Sequence, residues 1–98
     1  MGIVRTIHGD VDPASLGVVN AHDHLIRVGA GEVYIDPDHL LIDEDKAVQE
    51  ATSFVEASKR FAPSATIVDM CPASSGRGVL MLRDVVDRVP DLQVIQAT

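Results

Sequence analysis

Gly17-Val18-Val19-Asn20-Ala21-His22-Asp23-His24-Leu25 decides how the rest of the chain is read, because a short apolar segment runs directly into two histidines separated by one residue. In an extended strand successive side chains point to opposite faces. His22 and His24 therefore share a face, with Cα atoms about 6.6–6.8 Å apart, and Asp23 faces the other way. Two imidazoles at that spacing can lean together onto one zinc-like ion at about 2.0–2.1 Å, and neutral imidazole is a ligand such metals favour. The same triplet also occurs as a solvated or hydrogen-bonded pair. Position favours the ligand reading, since the pair stands at the carboxyl end of a candidate parallel strand, where α/β sheets bind their ligands. A catalytic zinc takes three protein ligands, so these two supply only part of a shell.

Outward from that stretch the pattern alternates strand and helix. Ala65-Thr66-Ile67-Val68-Asp69-Met70 is a second apolar strand. Between the two, residues 43–62 read as a helix: Asp43 caps it, and Glu44 and Asp45 complement the positive end of its dipole. Ala47, Val48, Ala51, Phe54, Val55, Ser58 and Phe61 or Ala62 form one apolar stripe. Lys59 and Arg60 suit its last turn, and Pro63 stops it. Strand, helical crossover and strand make a parallel β-α-β unit. Val79, Leu82, Val85, Val86 and Val89 mark a second amphipathic helix, and Leu92-Gln93-Val94-Ile95-Gln96-Ala97 a third strand. Upstream, Ile3-Val4-Arg5-Thr6-Ile7 and the turn His8-Gly9-Asp10 predict a short hairpin arm, and residues 13–17 about one helical turn. The expected architecture is one α/β domain over residues 1–98, a parallel β-α-β-α-β unit with an N-terminal β arm. Such a unit leaves open strand edges and one uncovered sheet face, and stopping at Thr98 reads as the first part of something larger.

Other polar residues are weaker candidates. Glu32, Asp36, Asp38 and His39 lie in the Gly- and Pro-containing connection of residues 26–42, where a solvated loop is the favoured reading. Asp69 and Cys71 fall at the carboxyl end of the second strand. Asp69 is a candidate partner behind the metal ligands or a binder of backbone, and a single cysteine is more often a small core residue than a ligand. Ser74-Ser75-Gly76-Arg77-Gly78 precedes a helix as phosphate-binding turns do. It fits neither the P-loop nor the dinucleotide fingerprint, so its glycines are expected to permit a tight turn.

Composition limits the partners. The 98 residues are 46% hydrophobic and 23% charged, within the range of a globular domain, and the aromatics are only Tyr34, Phe54 and Phe61. A formal charge of −7 without a basic stripe argues against nucleic acid. No apolar run approaches the ~18–20 residues of a membrane helix. Cys71 is the only cysteine, which excludes an internal disulfide and suits a reducing compartment. The expectation is a cytoplasmic protein with neither nucleic-acid nor membrane partners.

The assembled blocks resemble the N-terminal portion of phosphotriesterase-like proteins in the amidohydrolase superfamily. The resemblance rests on Val4-Arg5-Thr6-Ile7-His8-Gly9, on residues 16–25, on residues 65–70 with Gly76-Arg77, and on Val94-Ile95-Gln96-Ala97-Thr98. It implies a (β/α)8 TIM barrel whose first strand ends in a His-x-His pair holding one of two divalent metals, usually zinc. His22 and His24 match those ligands. It further implies a metal-activated hydroxide that attacks a phosphotriester, lactone or related ester, two ions being expected only in a complete barrel. The remaining ligands and the proton acceptor belong to later strands, so no catalytic residue is assignable here and the isolated chain is expected to be inactive. Asp23 stands where glutamate is more familiar, and Gly78 where aspartate is expected. The alternative is a truncated, non-catalytic fragment or oligomerising module, a homo-oligomer included, with at most weak metal binding.

Overall fold

A computed structural model describes residues 2–29, 31–72 and 76–97, the side chains of residues 32, 33 and 39 excepted. Among the described residues the strands and α-helices are, in order, β1 (Val4–Thr6), β2 (Gly9–Val11), β3 (Val18–Asp23), α1 (Glu44–Ser58), β4 (Ala65–Asp69), α2 (Val79–Asp87) and β5 (Leu92–Gln96). β1 and β2 form the antiparallel arm, and β3-β4-β5 form a parallel sheet in that order. The expected β-α-β-α-β unit is therefore present. Among the described residues no helix is long and apolar enough to cross a membrane.

The helices form where the apolar stripes lay. Asp43 accepts the backbone N–H of Lys46 and caps α1, as its side chain allowed. Ala47, Ala51 and Val55 of α1 and Leu82, Val85 and Val86 of α2 pack with Ala65, Ile67, Leu92 and Val94 of the sheet in one core. Each fully buried Val, Leu or Ile there contributes about 1.5–3 kcal/mol. Two expectations need correction. α1 ends at Ser58, whose hydroxyl donates back to Phe54 O, so Phe61 leaves the stripe and is 80% exposed. Val79 begins α2 on its outer side and is likewise exposed, while Val89 is buried just past the helix end.

The arm lies against the outer edge of the sheet, where the Ile7 N–H donates to Val94 O at 2.9 Å. His8 Nε2 stands 2.6 Å from Asp87 Oδ1 and fastens the arm to the end of α2. The face opposite the helices is less covered, and Val19 of β3 is 44% exposed. At the amino end, Gly17 has φ +66°, and a Cβ there would fall 1.9 Å from Ser64 O, so only glycine fits.

Candidate metal site at the end of the first two parallel strands

β3 ends at Asp23, so His22 lies in the strand and His24 directly after it. Its pairing with β4 is regular from Val18–Ala65 to Asn20–Ile67 and resumes only at Asp23–Asp69, so three steps on β3 match two on β4. An extra residue of this kind re-aims the side chains around it. Asn20 and Asp23 hold the irregularity with their side chains: Asn20 Oδ1 accepts the His22 N–H at 3.2 Å, and its amide donates to Asp23 Oδ2 at 3.0 Å. Asp23 Oδ1 accepts the His24 N–H at 2.7 Å, and its carbonyl accepts the Met70 N–H. Short polar side chains are suited to such local backbone bonds. Asp23 is thus the brace between the two histidines.

The imidazoles of His22 and His24 have ring centroids 5.4 Å apart with planes at 76°. Their environments differ. His22 is exposed, while His24 is half-buried. His24 Nδ1 lies 2.9 Å from Cys71 Sγ and 3.4 Å from Arg27 Nη2. Burial, and next the Arg27 charge, lower the His24 pKa, opposed by the attraction of Asp69. The neutral ring is the metal-binding form. Burial pushes the Cys71 thiol up, partly offset by its hydrogen bond with Arg27.

Asp69 is fully buried and binds backbone on two sides. Its Oδ2 accepts the Leu25 N–H at 3.1 Å and its Oδ1 the Cys71 N–H at 3.0 Å, with a longer contact from the Gln96 amide. It stitches the segment after β3 to the segment after β4. His24, Asp69 and Cys71 also bring one imidazole nitrogen, one carboxylate oxygen and one sulfur within 4.8 Å of one another. Nitrogen, sulfur and oxygen are the donors that zinc-like ions accept, so the residues present fit a metal.

The connection after β3 folds back beside this cluster. Arg27 exchanges backbone bonds with Leu41, and Val28 donates to Gly76 O. Gly76 has φ +89°, and a Cβ there would come 2.8 Å from Gly29 N, so this glycine serves the close approach of two loops. Gly78 caps α2 without a side-chain bond, and a Cβ on it would lie 2.5 Å from Val28 Cγ1. A cleft of about 370 Å³ opens beside His24 between this connection and α1, lined by Leu25, Leu41, Lys46 and Glu50 among others. Asp36 accepts the Asp38 N–H and caps a single helical turn. Ser74 and Ser75, and the side chains of Glu32 and His39, lie outside the described residues. Arg27 was not singled out in the sequence. Its Nε is buried without a partner among the described residues, and its guanidinium reaches His24, three residues earlier in the chain.

A phospho-furanose lactonase from Mycoplasmopsis agalactiae is 37% identical to the chain over 84 residues, covering 86% of this chain and 22% of that protein. The crystal structure of an amidohydrolase from Mycoplasma synoviae matches with TM-score 0.86 at 32% identity, over 96% of this chain and 26% of that one. A phosphotriesterase from Mycobacterium tuberculosis matches with TM-score 0.66 at 28% identity, over 99% and 29%. The chain belongs to the phosphotriesterase-like family of amidohydrolases. It represents the N-terminal portion of the family's (β/α)8 barrel and spans about a quarter of these relatives' length. No family model matches the sequence. Within the family's barrel, β3 is the first barrel strand, and the His22–His24 pair stands at its carboxyl end.

Proposed function

We propose that this chain carries the first metal-binding strand of a divalent-metal-dependent hydrolase acting on a lactone or related ester, with His22 and His24 as its ligands. The observation that supports the reading most is the pair of imidazoles, 5.4 Å apart, at the carboxyl end of the first barrel strand. Zinc is the ion of choice, because two neutral imidazoles suit a borderline-soft cation. When bound, such an ion supplies a water acidic enough to attack an ester and polarises the bond under attack. The chain's own residues hold and orient: Asn20 and Asp23 set the backbone of the two histidines, and the site around His24 favours its neutral ring. The name of the Mycoplasmopsis relative suggests a phosphorylated furanose lactone as substrate.

Equilibrium dialysis against zinc tests the ligand assignment. The wild-type chain binds one ion through the pair, and the double variant His22→Ala with His24→Ala loses stoichiometric binding. Zinc retained by the double variant would overturn it.

A further inference from the structure

We propose that Cys71 is a positioning residue for His24, holding the ring through Nδ1 so that Nε2 is the nitrogen left for an ion. The inference rests on the reading of His22 and His24 as ligands. A neutral imidazole that gives its Nε2 lone pair to a metal carries its proton on Nδ1. That N–H needs an acceptor. Nδ1 has two neighbours among the described residues, Cys71 Sγ at 2.9 Å and Arg27 Nη2 at 3.4 Å. A guanidinium only donates, so sulfur is the acceptor.

Without an ion the demand reverses. Nδ1 then presents a lone pair, and the thiol S–H or the Arg27 N–H can fill it. A thiol can donate or accept, so Cys71 serves both states, as a methyl group cannot. Its place is fixed independently of the histidine. Cys71 is fully buried, and its N–H is bonded to Asp69 Oδ1, while Asp69 Oδ2 holds the N–H of Leu25, the residue after His24. One carboxylate therefore sets the backbone on both sides of the Nδ1–Sγ contact. Outer partners of this kind orient a ligating histidine and fix its tautomer. His22 has no such partner among the described contacts; only its backbone is held.

The experiment uses the whole 98-residue chain with zinc and cobalt(II) as probes. Zinc affinity is measured by competition with a chromogenic chelator for wild type, Cys71→Ala and Cys71→Ser. The alanine variant is expected to bind about 10–100-fold more weakly, and serine, which also donates and accepts, to restore most of the affinity. Ring 15N shifts of His24 in the zinc-loaded chain are expected to show a single Nδ1–H tautomer in wild type and Cys71→Ser. Cys71→Ala should show a mixed or broadened signal. Unchanged affinity and tautomer in Cys71→Ala overturn the proposal. So does a failure of Cys71→Ser to restore binding while its circular dichroism stays native, because the sulfur would then serve packing alone. An intense thiolate-to-cobalt charge-transfer band in the wild type overturns it as well, by making Cys71 a ligand. Zinc retained by the double histidine variant sinks instead the ligand reading beneath the proposal, as does an absence of zinc binding by the wild type.

Discussion

The two ends of the β3–β4 pair are both stitched by side chains, but with different chemistry. At the amino end the donors are neutral and act on carbonyls: Ser64 and Gln93 both bond Ser15 O, and Thr66 bonds Leu16 O. At the carboxyl end the acceptor is a buried carboxylate, Asp69, taking backbone N–H groups from both segments beside an imidazole and a thiol. Neutral bonds would have joined the strands equally well at either end. Burying a charge is costly unless it is paired or hydrogen-bonded, so a charged stitch is not needed for joining alone. His24, Asp69 and Cys71, the described side chains that could together hold a metal, lie at one end of the sheet. That is the end where α/β barrels place their sites.

The largest expected effect lies at the charged end. Asp69→Ala leaves two backbone N–H groups without their acceptor in the interior, at about 1–3 kcal/mol each, so it should lower stability by about 2–6 kcal/mol. A urea melt with unchanged slope and a lower midpoint checks this. Asp69→Asn keeps one good acceptor oxygen and should lose less. Equal losses for the two variants would mean that charge, not bonding, is what Asp69 supplies.

Thr66→Val probes the neutral end. The substitution keeps the shape and removes one buried bond to Leu16 O, for which about 1 kcal/mol is expected in the same melt. A loss as large as that of Asp69→Ala would erase the contrast between the two ends.

Much of this was readable before the structure because it follows from local pattern. The three strands, the stripes of Ala47, Ala51 and Val55 and of Leu82, Val85 and Val86, and the Asp43 cap are all set by periodicity and nearby residues. Phe61, one of the two residues whose spacing could close the first stripe, falls outside it because the helix stops at Ser58. The site was legible only in part. His22 and His24 announce themselves by spacing, whereas the role of Asp69 depends on residue 25, 44 positions away, and that of Arg27 on a loop path without periodicity. The irregularity between Asn20 and Asp23 is a property of pairing with β4, so no reading of β3 alone would find it.

The smallest expected effect on stability separates the two histidines themselves. His22 is exposed, and the local bonds hold its backbone rather than its ring, so His22→Ala should shift the unfolding free energy by no more than about 0.5 kcal/mol. His24→Ala should cost more, since it removes a half-buried ring and strips Cys71 of its partner. Yet both variants should weaken zinc binding by at least about tenfold, because losing a ligand exceeds the loss of an outer partner. Stability and binding thus come apart at His22 and run together at His24. If His22→Ala left zinc affinity unchanged, the ion would belong to His24, Asp69 and Cys71, and the exposed histidine would be a bystander at the strand's end.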